Sequence, residues 1–498
     1  MKTCVIIGGG LGGLVTGALL AKEGYQVTVL EKNAIIGGGL QIFKRHGVGF
    51  PTGMHVFGGF GEEGQMHKLF SYLGIIDRLA LRAMDADGYD VVTVLEDGAT
   101  YSLPKGKERY VDYLSERFPE ERDHIKAYID KLFALSEEED LFYLRERASQ
   151  MFMTVSNDAM LPFDILMDRY IADPKLKGLL SYLTPLMGGV PGTTPAFMSA
   201  LLGVLHIGGT YQFVGGSQQM AELLKEVIET AGGRVVANEE VVSIEVEERE
   251  VRQVVTKRGQ VYRADSYISD VHPDVLLRLV GEKAFPASFR SRLQSIPETR
   301  SSFKVYVKFK EGAFPYVNHT NFCLASYDAP SDISQSEWPT SVMYYTPAVA
   351  QQGPYAETMV IIGEMDYGWV RPWDDTVTGR RGEDYERWKR KMTEQALDFM
   401  ERRHPGFRET IEYVTASSPL TIRDYYGNKE GSNYGFLRDS HNIMLSQLSV
   451  FTKVKNLFLT GQNVNIHGMC GVSLTAIQTA EALVGQNTIV RKINKKDY

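Results

Sequence analysis

Apolar and polar positions along the 498 residues recur at two periods, near two and near 3.6 residues. The changes of period mark the elements. Thr3-Cys4-Val5-Ile6-Ile7 is a continuous β-branched run that predicts a buried strand. Residues 14–23 carry a helical pattern, Gly24-Tyr25 breaks it, and residues 26–30 alternate as a second strand ending at Glu31. Residues 89–95 and 100–103, joined around Glu96-Asp97-Gly98, predict a hairpin. Residues 107–135 predict charged amphipathic helix, with Pro119 placed to begin a new segment. Another helix opens after Gly215-Gly216-Ser217, and strands follow at 235–236, 241–246 with a hairpin return over 247–256, and 263–269. A second β-rich section covers 303–309, 341–345 and 358–364, followed by a charged helix over 383–403. Near the far end, 456–460 reads as a buried strand delivering Gly461-Gln462-Asn463, and 474–483 as a helix with alanine on one side.

The first strand runs straight into glycines at 8, 9, 10, 12 and 13, which puts Gly8, Gly10 and Gly13 in G-x-G-x-x-G spacing. Gly8 permits the tight turn, Gly10 lets backbone approach a pyrophosphate, and Gly13 lets helix and strand pack closely. The helix start offers free N–H groups to phosphate oxygens. Glu31, 23 residues after Gly8, is placed to accept hydrogen bonds from a ribose diol. Strand, glycines, helix, strand and acid in this order predict a dinucleotide site. Lys2 and the apolar residues 4–21 superficially resemble a targeting segment. Each glycine inside such a helix costs about 1 kcal/mol relative to alanine, and residues 8–17 hold six. Gly59-Phe60-Gly61-Glu62-Glu63-Gly64 repeats the spacing, but two glutamates would repel a pyrophosphate and no clean strand precedes it. A second nucleotide site is not expected there.

Composition changes this picture little. The chain is 43% hydrophobic and 23% charged, with a formal net charge of −8, which leaves no electrostatic footprint for nucleic acid. Its three cysteines, Cys4, Cys323 and Cys470, are too widely spaced for a disulfide framework or a metal site and suit a reducing, cytoplasmic compartment. Residues 151–213 differ in character: they are rich in Met, Leu, Phe and Tyr and broken by five prolines. They suit either a cavity for a long apolar ligand or ordinary core. Within them, Leu201, Leu202, Val204, Leu205 and Ile207 form the most continuous apolar patch and predict a surface that docks on a membrane.

The assembled motifs resemble the flavin-dependent carotenoid desaturase, carotenoid isomerase and retinol saturase family, within the wider amine-oxidase-like flavoprotein fold. The residues that carry the resemblance are the glycine loop with Glu31, Gly37-Gly38 with Phe43, and Phe50-Pro51-Thr52-Gly53-Met54-His55. Val214 to Ser217, Ser418 to Thr421, Glu430 to Gly435, Leu459 to Gln462 and Gly468 to Val472 complete the set. The family usually has aspartate where Pro51 stands.

This resemblance implies an α/β fold in which a Rossmann-like FAD-binding domain is interleaved with a β-sheet-plus-helix substrate domain. Residues 1–85, 214–280 and 436–498 would form the first domain, and 86–213 and 281–435 the second. It implies non-covalent FAD held by Gly8, Gly10, Leu11, Gly12, Gly13, Glu31, Lys32, Gly38, His55, Val242, Gly461 and Val472. It also implies an apolar, polyene-like small-molecule substrate, drawn from a membrane face on which the protein sits peripherally, and no metal. No electron partner is identified. Members remove hydrogen from carbon–carbon bonds, add it to them, or isomerise them.

For catalysis, His55 and His467 are the candidates, since either could hold or donate a proton beside the flavin. Either could equally be a histidine that hydrogen-bonds backbone or cofactor. Tyr434 and Asp424 are weaker candidates, and His206 reads as a satisfied cavity histidine. The alternative activities are a flavin amine oxidase and, outside enzymes, a prenyl or lipid carrier of the GDP-dissociation-inhibitor type.

Overall fold

A computed structural model describes residues 1–148, 156–331 and 337–495. Residues 151–155, part of the Met-rich stretch, lie outside the described residues. Two sheets organise the chain. The first has five parallel strands in the spatial order Arg234–Val236, Gln26–Leu30, Thr3–Ile7, Ser266–Ser269 and Leu457–Leu459. Parallel strands covered on both faces read as continuous apolar runs, and Ile6, Val27, Val29, Ile268 and Leu457 are indeed fully buried. The helix Leu11–Lys22 returns the chain across one face, packed against the helices Gln218–Thr230 and Gly468–Val484.

The second sheet has seven strands in the order Ile411–Ser417, Ser301–Phe309, Thr358–Met365, Ser341–Tyr345, Thr320–Leu324, Asp90–Val94 and Thr100–Leu103. Its two faces separate by the period of two. Phe303, Val305 and Val307 pack with Met392, Leu397 and Met400 of the helix Glu383–Arg403. Ser302, Lys304 and Tyr306 face the other way, toward the parallel sheet's domain, where Tyr306 meets Phe43 and Phe50.

The stretch 107–135 divides at Pro119, as expected, into Lys107–Arg117 and Arg122–Ser136, with Pro119–Glu121 as a 3₁₀ turn between them. The last long helix begins at Gly468, six residues earlier than its apolar pattern suggests. Glycines in the first turn disguise it. Gly471 is needed there because a Cβ at that position would come within 2.7 Å of the Ile466 backbone.

The apolar patch of residues 201–207 is largely packed, with Leu202, Val204 and Leu205 half-buried. It belongs to the helix Ala196–Ile207, which packs on Arg122–Ser136, and Leu201 and Ile207 are buried. Leu202 lines a closed space of about 30 Å³ with Tyr128 and Leu132. A run this apolar covers two sides of a helix, and here both sides find partners. No described helix is long and apolar enough to cross a membrane.

Candidate active site

A cleft of about 770 Å³ lies between the C-terminal edge of the parallel sheet and the free face of the seven-stranded sheet. Its floor is the glycine loop. Gly8 takes φ +106° and donates from its N–H to Leu30 O at 2.9 Å, which fixes the turn against the neighbouring strand. The helix that follows is entered through Gly10 with no side-chain cap, so its first N–H groups remain available to an anion. Gly10, Leu11, Gly12 and Gly38 line the cleft. Gly13 does not; a Cβ there would run into Gly8 O, so its role is the close packing of helix on loop.

Glu31 lines the cleft and is 6% exposed. Its carboxylate accepts from Gly9 N at 2.9 Å and Asn33 N at 2.8 Å, which aims the group while leaving further lone pairs for a ligand. Lys32 lies beside it and donates to Asp424 O at 3.0 Å; burial pulls its ammonium below the ordinary lysine value. Val242 is placed differently from its expected role. It is 47% exposed, and its neighbour Val241 lines the cleft instead. In a strand, a shift of one residue moves a side chain to the opposite face. Gly461 and Val472 close the cleft from the far end of the chain. The second glycine-rich turn, residues 59–64, does not line it. Gly59 O there accepts from Met66 N and His67 N, capping a helix start.

The chemistry-bearing groups gather where the cleft meets the second sheet. His55 Nδ1 lies 2.8 Å from the Tyr345 hydroxyl, and its Nε2 is buried without a hydrogen-bond partner. Burial and then the charge of Lys304 hold the ring well below the usual histidine range. Lys304 itself donates to Thr52 O at 2.8 Å, and burial lowers its ammonium to about 8. Its position in an alternating strand was the available sign, but nothing local shows that this face of the sheet is covered. Beyond Ser302 and Ile362 the cleft continues into a recess of about 40 Å³ with an apolar lining that includes Phe322, Leu324 and Met343. Glu364 faces that recess; burial raises it to about 7 despite Arg300 at 3.1 Å. On the other side, a chamber of about 250 Å³ shares Met54 and His55 with the cleft.

His467 is brought near but not into the cleft. Its Nε2 meets Leu186 O at 3.1 Å, its ring stacks on Tyr434 with centroids 4.1 Å apart, and burial lowers it to about 4. It orders the wall rather than facing a reactant. Tyr434 lines both cleft and recess. Asp424 is tied to Arg381 and Arg423 and does not line the cleft. His206 pairs with Asp90 at 2.8 Å, away from the cleft, as a satisfied histidine. Among the described residues no group of His, Cys, Asp and Glu is arranged to hold a metal.

These residues fit a flavin dinucleotide. The glycine cradle would be filled by any Cβ, the open helix start and Glu31 suit pyrophosphate and ribose, and the orphaned Nε2 of His55 awaits a polar partner. The cleft is of ligand-binding size. Residues 11–484 match the model of the flavin containing amine oxidoreductase family. Human all-trans-retinol 13,14-reductase is 25% identical, over 97% of this chain and 85% of that protein. The 4,4'-diapolycopene oxygenase of a Methylomonas species is 23% identical, over 93% of this chain and 94% of that protein. A solved oxidoreductase from Methanosarcina mazei superposes with a TM-score of 0.66 at 16% identity, covering 96% of this chain and all of that one, which establishes the shared fold. The chain thus belongs to the flavin-containing amine oxidoreductase family and is an FAD-dependent oxidoreductase.

Proposed function

We propose that this oxidoreductase acts on carbon–carbon bonds of a long apolar, polyene or isoprenoid-like lipid, by desaturation, saturation or cis–trans isomerisation. The observation that carries the reading is the nearly full-length likeness to a retinol reductase and a diapolycopene oxygenase, whose named substrates are both conjugated polyenes. The site supports it. Past the glycine loop, the recess that opens from the cleft is walled largely by Ile, Leu, Met, Phe and Tyr side chains.

FAD, when bound, supplies the two-electron exchange. The chain's own residues do the rest. Glu31 and the glycine loop bind and orient the dinucleotide. The apolar walls exclude water from the reacting carbons. We take Lys304 Nζ, in the cleft, and His55 Nε2, shared by cleft and chamber, as the groups that hold or move a proton. A polyene is collected from a bilayer, so we place the enzyme in the cytoplasm, in transient contact with the inner face of a membrane, with the contact surface outside residues 201–207.

The test is anaerobic. Oxidised and reduced holoenzyme are each mixed with a panel of polyenes, and the flavin spectrum is followed together with the products. Flavin bleaching or recolouring coupled to a change in the polyene is the expected result. Release of peroxide with an amine, and none of these changes with any polyene, would overturn the reading in favour of an amine oxidase. A purified protein without flavin would favour a lipid carrier.

A further inference from the structure

The glycine loop shelters a group that neither the dinucleotide fingerprint nor the proposed reaction uses. Asp270 is the first residue after the strand Ser266–Ser269, and its N–H donates to Ile7 O at 2.9 Å. This turns its side chain in under the loop. An ideal Cβ at Gly10 would lie 2.9 Å from Asp270 Oδ2, and one at Gly461 would lie 2.5 Å from Oδ1. At Gly12 the approach would be closer still. The glycines therefore make room for this carboxyl group as well as for a ligand. Asp270 lines the cleft and accepts a hydrogen bond from Gly13 N.

We propose that Asp270 meets the cofactor as a neutral carboxylic acid, so that binding FAD in this loop takes one proton from solvent into the protein. The inference rests on FAD occupying the cleft and goes beyond that assignment by naming the protonation state the loop requires.

Three observations carry it. First, among the described residues no cation forms an ion pair with Asp270; the charged group nearest to it in effect is Glu31, another acid. The remaining charged groups and histidines that line the cleft are Lys32 after the second strand, His55, Glu239 and Glu240 before the strand at 241, His272, Asp274 and Arg278 beyond Asp270, Lys304 on the second sheet, and Arg371, Asp374, Arg423, Lys429 and Glu430 of the chain between 371 and 430. Second, a diphosphate laid on this loop would bring negative charge against the same carboxyl group in a water-poor site. Like charges this close in low dielectric cannot both persist, and protonating the acid is the least costly remedy. Third, the protonated acid gains an O–H donor for a phosphate oxygen while its other oxygen keeps accepting from Gly13 N. Burial already lifts the group to about 7, with Glu31 adding to the rise.

FAD retention by the holoenzyme measures this directly. Holoenzyme is diluted at a series of pH values from 6 to 9, and the released cofactor is read by its own fluorescence. The dissociation constant should hold steady below about pH 7 and rise up to tenfold per pH unit above it. Asp270→Asn keeps a donor and an acceptor without a proton to lose, and its dissociation constant should be flat across the range. Glu31→Gln should keep the wild-type slope, which excludes Glu31 as its source. A flat wild-type curve, or an Asp270→Asn curve as steep as the wild type, overturns the proposal. Should Asp270→Asn not fold, calorimetric titration of FAD into wild-type apoprotein at pH 8, in two buffers of different ionisation heat, counts the protons. Near one proton supports the proposal, and none overturns it. Protein that neither carries nor takes up FAD at any pH overturns the cofactor assignment itself, an outcome distinct from a flat curve.

Discussion

The Tyr345 hydroxyl and His55 Nδ1 lie 2.8 Å apart, which ties the imidazole to the second sheet and leaves its Nε2 without a partner. Burial pushes the Tyr345 phenol well above its ordinary value, so it keeps its proton. A protonated phenol can donate to Nδ1 or accept from it; where it donates, the ring's own hydrogen sits on Nε2, the atom that is buried and unpartnered. Burial and the charge of Lys304 hold the ring well below its ordinary value, so His55 should stay uncharged at neutral pH. Nitrogen-15 spectra of labelled histidine should include more than one ring that does not titrate near neutral pH, His467 among them, and the signal lost in His55→Phe should be one of these. Tyr345→Phe removes one hydrogen bond, worth about 1 kcal/mol, and should weaken FAD binding several-fold. A midpoint near the ordinary histidine value for His55 would contradict the arrangement.

Lys304 carries a stability cost with a definite sign. Its ammonium is lowered from 10.5 to about 8 by burial, so between those values the folded chain has lost a proton that the unfolded chain still holds. Stability from this residue therefore rises with pH through that window and is lost as pH falls through 8. At pH 7 the charged, buried lysine costs up to about 3 kcal/mol, less the hydrogen bond to Thr52. Lys304→Met should melt higher than the wild type at pH 7 and lose that advantage by pH 10. Any catalytic step that depends on the ammonium should show an inflection near pH 8 that disappears in the variant.

Glu364 has the opposite linkage. Burial raises it from 4.5 to about 7. Its contribution is fully present below pH 4.5 and is lost as pH rises through 7. Glu364→Gln should flatten that part of the stability profile, with a gain at pH 8 of at most about 3 kcal/mol. A wild type and variant that fall in parallel between pH 5 and 8 would place the titration elsewhere.

Glu31→Ala removes the acceptor for Gly9 N and Asn33 N as well as the ribose contact. A charge-assisted hydrogen bond contributes about 1.5–3 kcal/mol, so FAD should bind roughly 10- to 100-fold more weakly. Glu31→Gln, which keeps one oxygen, should fall between. An unchanged dissociation constant in both variants would remove Glu31 from the site.

Leu202→Asp should destabilise the protein, since a carboxylate would enter the small apolar space beside Tyr128 and Leu132. A loss of about 3 kcal/mol or more is expected for an unpaired buried charge, read as a lowered melting temperature. Liposome binding of whatever remains folded should be unchanged, because this half-buried side chain packs beside Tyr128 and Leu132.

Local pattern carries as far as local causes do. The strand Thr3–Ile7, the glycine turn, the helix after it and Glu31 are all legible because each is set by neighbours in sequence. So is the charged helix Glu383–Arg403, whose bounds follow from its amphipathic period. Asp270, Lys304 and Glu364 were not legible as site residues, because what makes each one chemically active is burial by a distant segment. Lys304 shares its strand with Lys308, and only the fold reveals that the first is covered while the second reaches Glu412 on the next strand. Val242 shows the smallest such failure: the strand was foreseen, and one residue of register decides which side chain meets the cleft.

The parallel sheet has a consequence in time. Its strands at 3–7, 26–30, 234–236 and 266–269 all precede the last five strands of the second sheet, and the fifth, Leu457–Leu459, comes after them. A nascent chain therefore leaves the ribosome with the edge at Ser266–Ser269 unpaired for nearly two hundred residues, exposed to the wrong partners that open strand edges attract. Gly461 and the helix Gly468–Val484 emerge only after that edge is covered. Cofactor capture can then act as a late checkpoint on synthesis: chains halted before the fifth strand should be retained by chaperones and stay colourless, and yellow colour in a translation reaction should mark chains in which both sheets have closed.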